Sequence, residues 1–306
     1  MTKASQVIVP SLWFDTEAFE AAEFYTSIFP NSKITNKMTL PDTPSGDADL
    51  VSFQLCGYDF TAISGGPYFT ANSLISFMVR FKLSEDPKAQ KISELWDALK
   101  KGGKVETPLE TTSFSEKYGV VQDRYGFTWQ LILVDEEEVE EEKPAMIPSI
   151  LFSGEQFGKA EEAMRLYTSI FKNSQIGEVS HFPVEGKAGE VNGVYAEFKI
   201  ENQWFAVMDD EEEHDYKFNE AISLMVKCED QNELDDYWDK LSAFPESEQC
   251  GWLQDKFGLS WQIIAKDMDK MESETSSPEQ IKRYMEALLK MKKLDIAKLW
   301  AAYNNE

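Results

Sequence analysis

The chain has 306 residues, and its 55 acidic and 30 basic side chains give a formal charge of −25. This charge argues against nucleic acid as a partner, because phosphate binding needs clustered Lys and Arg. The 42% hydrophobic and 13% aromatic content predicts a globular protein, and no run approaches the roughly 18 consecutive apolar residues of a membrane span. With three scattered cysteines and no evident signal peptide, we expect a reduced, cytoplasmic protein without a disulfide framework.

The predicted elements of the first 135 residues follow one order, a strand, a helix and three strands, which occurs twice. The first occurrence lies at 6–14, 17–29, 33–40, 49–56 and 58–64. The second lies at 73–82, 88–101, near 105, 117–122 and 127–134. The first helix is predicted from apolar residues at helical spacing, among them Ala18, Ala22 and Tyr25. Two such βαβββ motifs predict an α+β fold, with mixed sheets and helices on one face.

The second part of the chain repeats the first. The pentapeptide YTSIF stands at 25–29 and again at 167–171. Further matching runs lie at 10–14 and 148–152, at 74–81 and 221–228, and at 123–133 and 255–265. We therefore predict four βαβββ motifs, divided into a domain at 1–135, an acidic linker at 136–145, a second domain at 146–267 and a helical tail at 268–306.

The tail contains a helix start with a clear sequence signature. Ser277 and Gln280 form a capping box, and Pro278 occupies the first helical position. Apolar residues then line one face of this helix and one face of a second short helix that includes Leu299. We expect both faces to be buried, against a neighbouring domain or a second chain.

The motifs PSLWFD, AAEFYTSIFPNSKI and CGWLQDKFGLSWQ, set in four βαβββ motifs, resemble the vicinal-oxygen-chelate superfamily of glyoxalases, bleomycin-resistance proteins and dioxygenases. More narrowly they are similar to its PhnB-like branch, which is often described as demethylubiquinone methyltransferase-like. The resemblance covers both copies and the tail. It implies that each copy folds a cupped mixed sheet. The tandem chain would then be an intramolecular pseudo-dimer, with further homodimerisation left open.

The resemblance also implies where a metal would lie. Catalytic members of the superfamily bind one divalent ion in the cup, through His, Glu or Gln of the first and last strands. The first strands offer Ser11 and Ser149 here, and the last strands offer Gln130 and Gln262. One neutral amide per cup cannot hold a metal, and neither histidine of the chain occupies a family position. We therefore predict no cofactor, although a divalent metal stays an alternative. The acidic loop 209–215 lacks the glycine turn of a calcium loop.

A methyltransferase cofactor finds no better support in the residues. A nucleotide-derived cofactor usually needs a glycine-rich turn between a strand and a helix. The glycine pair in ISGGPYF at 63–69 instead leads towards another strand.

An aromatic cup with a few polar groups is the ordinary form of a small-molecule site. The aromatic candidates are Trp13, Trp129, Trp252, Trp261, Phe53 and Phe198. Strand alternation predicts that Gln130 and Gln262 face the cup, whereas Trp129 and Trp261 face the helices and belong to the core. The predicted ligand-binding residues are Gln130, Gln262, Trp13, Ser11, Ser149, Trp252 and Cys250. No base lies near Cys250 in the sequence, which favours a structural thiol over a nucleophile.

The sequence therefore favours a small-molecule-binding protein of the glyoxalase and bleomycin-resistance type with a degenerate metal site. No catalytic residue is predicted. Two alternatives stay open, a metal-dependent lyase or dioxygenase whose ligands come from loops, and a non-catalytic assembly scaffold that docks through the tail.

Overall fold

The computed structural model of the protein describes residues 6–43, 45–135, 143–183, 193–212, 214–273 and 275–306. Most of the predicted acidic linker lies outside these residues. The first half of the described chain contains β1 (Ile8–Phe14), α1 (Ala18–Ile28), β2 (Lys33–Thr43), β3 (Gly46–Leu55), β4 (Tyr58–Ser64), β5 (Ile75–Lys82), α2 (Gln90–Leu99), β6 (Lys104–Glu110), β7 (Tyr118–Gln122) and β8 (Thr128–Val134).

The second half contains β9 (Met146–Phe152), α3 (Ala160–Ile170), β10 (Gln175–Phe182), β11 (Gly193–Ile200), β12 (Gln203–Asp209), β13 (Ile222–Cys228), α4 (Gln231–Leu241), β14 (Trp252–Gln254) and β15 (Ser260–Ala265). The tail contains α5 (Met268–Met271), α6 (Pro278–Leu288) and α7 (Ile296–Asn304). The predicted α+β class is confirmed. Among the described residues, no helix has the length and apolar character needed to cross a membrane.

The chain divides into two compact units. Unit 1 comprises residues Met1–Thr70 and Phe218–Glu306, and unit 2 comprises Ala71–Lys217. As described, the sheet of unit 1 has the strand order β14-β15-β13-β1-β4-β3-β2, and the sheet of unit 2 has the order β10-β11-β12-β9-β5-β8-β7-β6. Both sheets are mixed. In unit 1, β1 pairs antiparallel with β13 and parallel with β4, and in unit 2, β5 pairs antiparallel with β9 and parallel with β8.

Each sheet joins two motifs, as the resemblance implies, but the two motifs come from different sequence copies. Ser11 of β1 pairs with Ser223 of β13, and Ser149 of β9 pairs with Ser76 of β5. The expectation that each copy closes its own sheet is therefore corrected. Because the copies are similar at these strands, either copy offers the same partner edge, which is the condition for exchange of equivalent elements. The repeat alone cannot show which exchange occurs.

The two sheets also differ at one edge. In unit 2, residues 100–117 connect α2 to β7 and include the edge strand β6. In unit 1, only residues 242–251 connect α4 to β14, and this segment contains Pro245, which cannot donate a ladder hydrogen bond. The shorter connection therefore makes turns, with a single isolated bridge between Gln249 and Trp252.

Helices cover one face of each sheet with a repeated aromatic stack. In unit 1, Tyr25 of α1 stacks on Phe53, and Phe53 stacks on Phe60, with ring centroids 6.4 and 5.6 Å apart. In unit 2, Tyr167, Phe198 and Phe205 repeat this stack. Phe53 and Phe198 thus belong to the helix side, and their prediction as cup residues was wrong. Trp129 and Trp261 are fully buried, which confirms them as core residues.

One buried carboxylate in each unit organises the turn before the last strand. Asp255 accepts hydrogen bonds from the backbone N–H groups of Phe257 and Leu259, at 2.9 and 3.1 Å, and from Nε1 of Trp261 at 2.9 Å. In unit 2, Asp123 accepts the equivalent hydrogen bond from Nε1 of Trp129, at 2.8 Å. This carboxylate anchors the tryptophan that precedes each predicted glutamine, and it therefore sets the register of β8 and β15.

The tail packs within unit 1. The capping box predicted at Ser277 and Gln280 is present, with both reciprocal hydrogen bonds. The helix α6 packs against α7 and β2, and it buries Tyr284, Met285 and Leu288. The predicted apolar faces therefore find their partners inside the same compact unit.

Candidate functional site

The candidate site lies on the face of each sheet opposite the helices, which we call the open face. Tyr25 of α1 stacks on Phe53, which is paired with Phe60, so alternation directs the next residue, Thr61, to the opposite side. Register partners share a face, and Thr61 is the partner of Ser11. This places Ser11 on the open face of unit 1.

Four polar side chains cross the open face of unit 1, and we call them the polar row: Thr61, Ser11, Ser223 and Gln262. The exposed fraction of each is 7% or less. Nε2 of Gln262 donates to Oγ of Ser223 at 2.8 Å. In the described part of the chain, Oγ1 of Thr61 has no hydrogen-bond partner, and an unpaired buried hydroxyl is costly.

An aromatic pair flanks the polar row. Trp252 of β14 is the register partner of Gln262, and Trp13 lies two residues beyond Ser11 on the same face. The two indole rings meet edge to face, with centroids 6.2 Å apart. Both side chains are half-buried, which leaves ring surface accessible to a ligand. Ser11, Trp13, Trp252 and Gln262, which were predicted from distant parts of the sequence, are therefore brought together.

The glycine pair after β4 holds Trp13 in place. Nε1 of Trp13 donates to the carbonyl oxygen of Gly66 at 2.8 Å. A Cβ atom on Gly65 would lie 2.1 Å from the Trp13 ring, so only glycine fits beneath the indole. The pair leads into the loop before β5 and opens no helix, so it is not the strand–turn–helix that cradles a nucleotide-derived cofactor.

Cys250 lies outside this arrangement. It precedes β14 with a positive φ of 53°, and its backbone N–H donates to the carbonyl of Met291 in the tail at 2.8 Å. Burial raises the pKa of its thiol, which keeps the sulfur protonated and weakly nucleophilic. Its position therefore suits docking of the tail better than ligand contact.

Unit 2 carries the equivalent row with one substitution. Ser149 pairs with Ser76, and Nε2 of Gln130 donates to Oγ of Ser76 at 2.8 Å. Tyr118 donates its hydroxyl to Oε1 of Gln130 at 3.1 Å, and burial raises the pKa of Tyr118 to about 12. Ala206 occupies the position that Thr61 holds in unit 1. Unit 2 therefore holds its glutamine from both sides and lacks the fourth hydroxyl.

An apolar cluster borders the row of unit 2. Its buried members are Met78, Ile147, Trp204 and Ala206, with Ile132 and Tyr195 packed against them. Beside it, Lys143 forms an ion pair with the buried Glu197, and Tyr195 donates its hydroxyl to Glu197 at 2.8 Å. Sequence reasoning missed these residues, and it also missed Ser76, Ser223 and Thr61 as members of the rows. Alternation along β4, β5 and β13 was the signal that would have found them.

The donor sets of both rows do not fit the divalent metal that the superfamily uses. They offer neutral hydroxyls and one primary amide, whereas a stable protein site for Zn²⁺, Ni²⁺ or Fe²⁺ draws on imidazole, thiolate or carboxylate ligands. The two histidines are elsewhere in unit 2. Nε2 of the exposed His181 lies 3.3 Å from Oε2 of Glu161, and His214 lies near Asp210 and Glu212. No catalytic step through a metal is derived from these rows.

The first carboxylate of the acidic loop 209–215 has a structural role in unit 2. Asp209 is buried and accepts hydrogen bonds from the backbone N–H groups of Gly158, Ala160 and Val194. Burial raises the pKa of this carboxyl. Asp209 therefore stabilises α3 and β11, and it is not free to ligate a cation together with Asp210, Glu212 and His214.

The family model described as 3-demethylubiquinone-9 3-methyltransferase matches residues 6–132 and 144–264. The chain belongs to this family. The resemblance to the vicinal-oxygen-chelate superfamily and its PhnB-like branch is thereby confirmed. The match covers both copies. No curated protein matches the chain.

The chain is also similar to solved structures. A PhnB protein from Bacillus cereus is 29% identical over 42% of this chain and 100% of its own, with a TM-score of 0.38. Glyoxalase I from Zea mays is 10% identical over 87% of this chain and 95% of its own, with a TM-score of 0.53. The fosfomycin resistance protein FosX from Listeria monocytogenes is 13% identical over 45% of this chain and 98% of its own, with a TM-score of 0.33. The likeness to glyoxalase I extends over most of the chain and shows the fold alone.

Proposed function

We propose that this member of the family is a small-molecule-binding protein that holds a partly apolar organic ligand on its open faces without a metal. The observation that carries the proposal is the repeated pair of a glutamine and a buried serine, Gln262 with Ser223 and Gln130 with Ser76, in which Nε2 of the amide lies 2.8 Å from Oγ in both units. An amide and a hydroxyl offer donors and acceptors that a ligand can use in place of their mutual bond.

Unit 1 offers a ligand more polar and aromatic contacts than unit 2 does. Its row ends in Thr61, whose hydroxyl has no hydrogen-bond partner among the described residues. Its two half-buried indoles leave ring surface accessible beside Gln262. Aromatic side chains supply large contact areas, and a few convergent polar groups fix the orientation of the ligand. Such a site needs shape and hydrogen bonds, and it needs no reacting group.

The test is a screen of small aromatic and amide compounds against the full chain in EDTA, read by ligand-observed NMR. We expect compounds that bind unit 1 to lose about tenfold in affinity in Gln262→Ala, the equivalent of roughly one lost hydrogen bond. Gln130→Ala should have that effect on compounds that bind unit 2. Gln175→Ala is the matched control, because Gln175 is exposed on the edge strand β10.

The proposal fails if no compound binds in EDTA. It also fails if compounds bind but neither Gln262→Ala nor Gln130→Ala weakens any of them. Binding that appears only after a divalent metal is added would instead favour the metal-dependent lyase or dioxygenase.

A further inference from the structure

A cavity of about 400 Å³ lies in unit 1 between the open face and the segment that begins the tail. Its floor is formed by β1, β3 and β4, with Val9, Leu50 and Thr61 among its lining residues. Asp269 and Glu272 of the tail line it from the other side. The tail therefore turns one end of an open sheet face into a partly enclosed pocket.

The buried hydroxyl of Thr61 lines this pocket without a hydrogen-bond partner among the described residues. The side chain is 7% exposed, so bulk solvent cannot readily supply the missing bond. Buried polar atoms in proteins are nearly always hydrogen-bonded, and a bound molecule would provide the bond that Oγ1 of Thr61 lacks. The residue at the equivalent place in unit 2 is Ala206, so the hydroxyl is not required by the fold.

The charges of the pocket are predominantly negative. Asp59, Asp269, Glu272 and Lys227 line it. Lys227 is paired with Asp269, with Nζ and Oδ2 2.8 Å apart. Asp59 accepts a hydrogen bond from the Gln54 amide at 2.7 Å, and Glu272 accepts one from the Tyr284 hydroxyl at 2.6 Å. These two carboxyl groups thus have neutral donors, and the ion pairs of the described residues include neither.

Near neutral pH the carboxyl group of Glu272 populates both of its protonation states. Burial raises the pKa of Glu272 to about 7, and the nearby Asp269 raises it further, while the Tyr284 hydrogen bond and Lys227 lower it. A cation placed beside Glu272 would favour the ionised carboxylate. A neutral molecule would not favour the ionised form of Glu272 in this way.

We propose that this pocket binds a small organic cation, a primary amine on a short apolar body. Its ammonium group would face Glu272 and donate to the hydroxyl of Thr61, and its apolar part would lie against Val9 and Leu50. The inference rests on the proposed function, because it names the ligand class for one end of the same open face. A neutral ligand of equal shape would leave Asp59 and Glu272 without a cation.

The experiment is a calorimetric titration of the full chain with benzylamine and with benzyl alcohol, which differ in charge and hardly in shape. At pH 8 we expect benzylamine to bind at least tenfold more tightly. Glu272→Gln should weaken benzylamine about tenfold, since a charge-assisted hydrogen bond is lost, and Thr61→Val should weaken it several-fold. Glu229→Gln is the control, because Glu229 is an exposed glutamate of unit 1 that pairs with Lys266.

The pH dependence gives a readout that a structural role for Glu272 would not produce. The amine stays protonated at pH 6 and pH 8, like the side chain of lysine, whereas Glu272 ionises between them. Benzylamine should therefore bind more weakly at pH 6. Near pH 7 its binding should release protons, so the measured heat should change with the ionisation enthalpy of the buffer. In Glu272→Gln both effects should disappear.

Equal affinity for the two probes, or unchanged benzylamine binding in Glu272→Gln, would overturn the inference. If neither probe binds while other compounds still depend on Gln262, the cationic pocket is wrong and the proposed function stands. If no compound binds at all, the proposed function fails and this inference fails with it.

Discussion

Replacement of Asp255 by alanine is expected to lower the free energy of unfolding of unit 1 by about 3–5 kcal/mol. Asp255 is fully buried, and its carboxylate accepts three hydrogen bonds from donors that are themselves buried. Alanine would leave the backbone N–H groups of Phe257 and Leu259 and the indole N–H of Trp261 unsatisfied. Each unsatisfied buried donor costs about 1–3 kcal/mol, and the costs add incompletely because the turn can relax.

Urea unfolding followed by tryptophan fluorescence would measure this loss. Asp255→Asn keeps one carbonyl acceptor and should cost less. Asp236→Ala is the surface control and should change stability by less than about 0.5 kcal/mol, because Asp236 is exposed and its ion pair among the described residues is with Lys240 of the same helix, α4. Asp123→Ala should reproduce the loss in unit 2. A change below about 1 kcal/mol in Asp255→Ala would contradict the role assigned to this carboxylate.

Glu272→Gln is expected to stabilise the protein above pH 7 and to have little effect near pH 4.5. The folded protein raises the pKa of Glu272 from 4.5 to about 7, mainly by burial. The folded state therefore holds the proton more tightly than the unfolded state. The stability present below pH 4.5 is lost as the pH rises to about 7, by on the order of 3 kcal/mol. Glutamine keeps the neutral form at every pH and removes this loss.

Unfolding free energies of the wild type and Glu272→Gln, measured from pH 4.5 to pH 8, isolate this contribution because all other titrating groups are shared. The difference should grow in favour of the variant between those limits and stay constant above about pH 8. Glu279→Gln, an exposed position in the first turn of α6, serves as the control. A difference that does not change with pH would show that Glu272 has an ordinary pKa.

Local sequence patterns predicted much of the fold. The spacing of Ala18, Ala22 and Tyr25 predicted α1, and the capping box at Ser277 predicted the start of α6, because both are interactions within a few residues. Alternation correctly assigned Trp129 and Trp261 to the core. The exchange of motifs between copies could not be predicted, since Ser11 has equivalent partners in Ser223 and Ser76 and nothing local selects between them.

The candidate site was predictable only in part. Strand alternation placed Trp261 in the core and Gln262 on the open face. The hydrogen-bond partner of Gln262, Ser223, is 39 residues away in the sequence, and its approach depends on the pairing of β13 with β15. The approach of Trp13 to Trp252 required the exchange of motifs, which brings two copies into one sheet. The pocket at Thr61 depends on where the tail docks, and an amphipathic helix shows that it has a buried face without showing its partner.

The central claim is that the open faces bind an organic ligand without a metal, and elemental mass spectrometry of untagged protein purified without chelators tests it most directly. We expect nickel, zinc, iron and manganese to stay near background in folded protein, because the rows of Gln262 and Gln130 offer only hydroxyls and amides as ligands. Near-stoichiometric metal that is lost in Gln262→Ala or Gln130→Ala would contradict it and would make metal-dependent catalysis the leading explanation of this site.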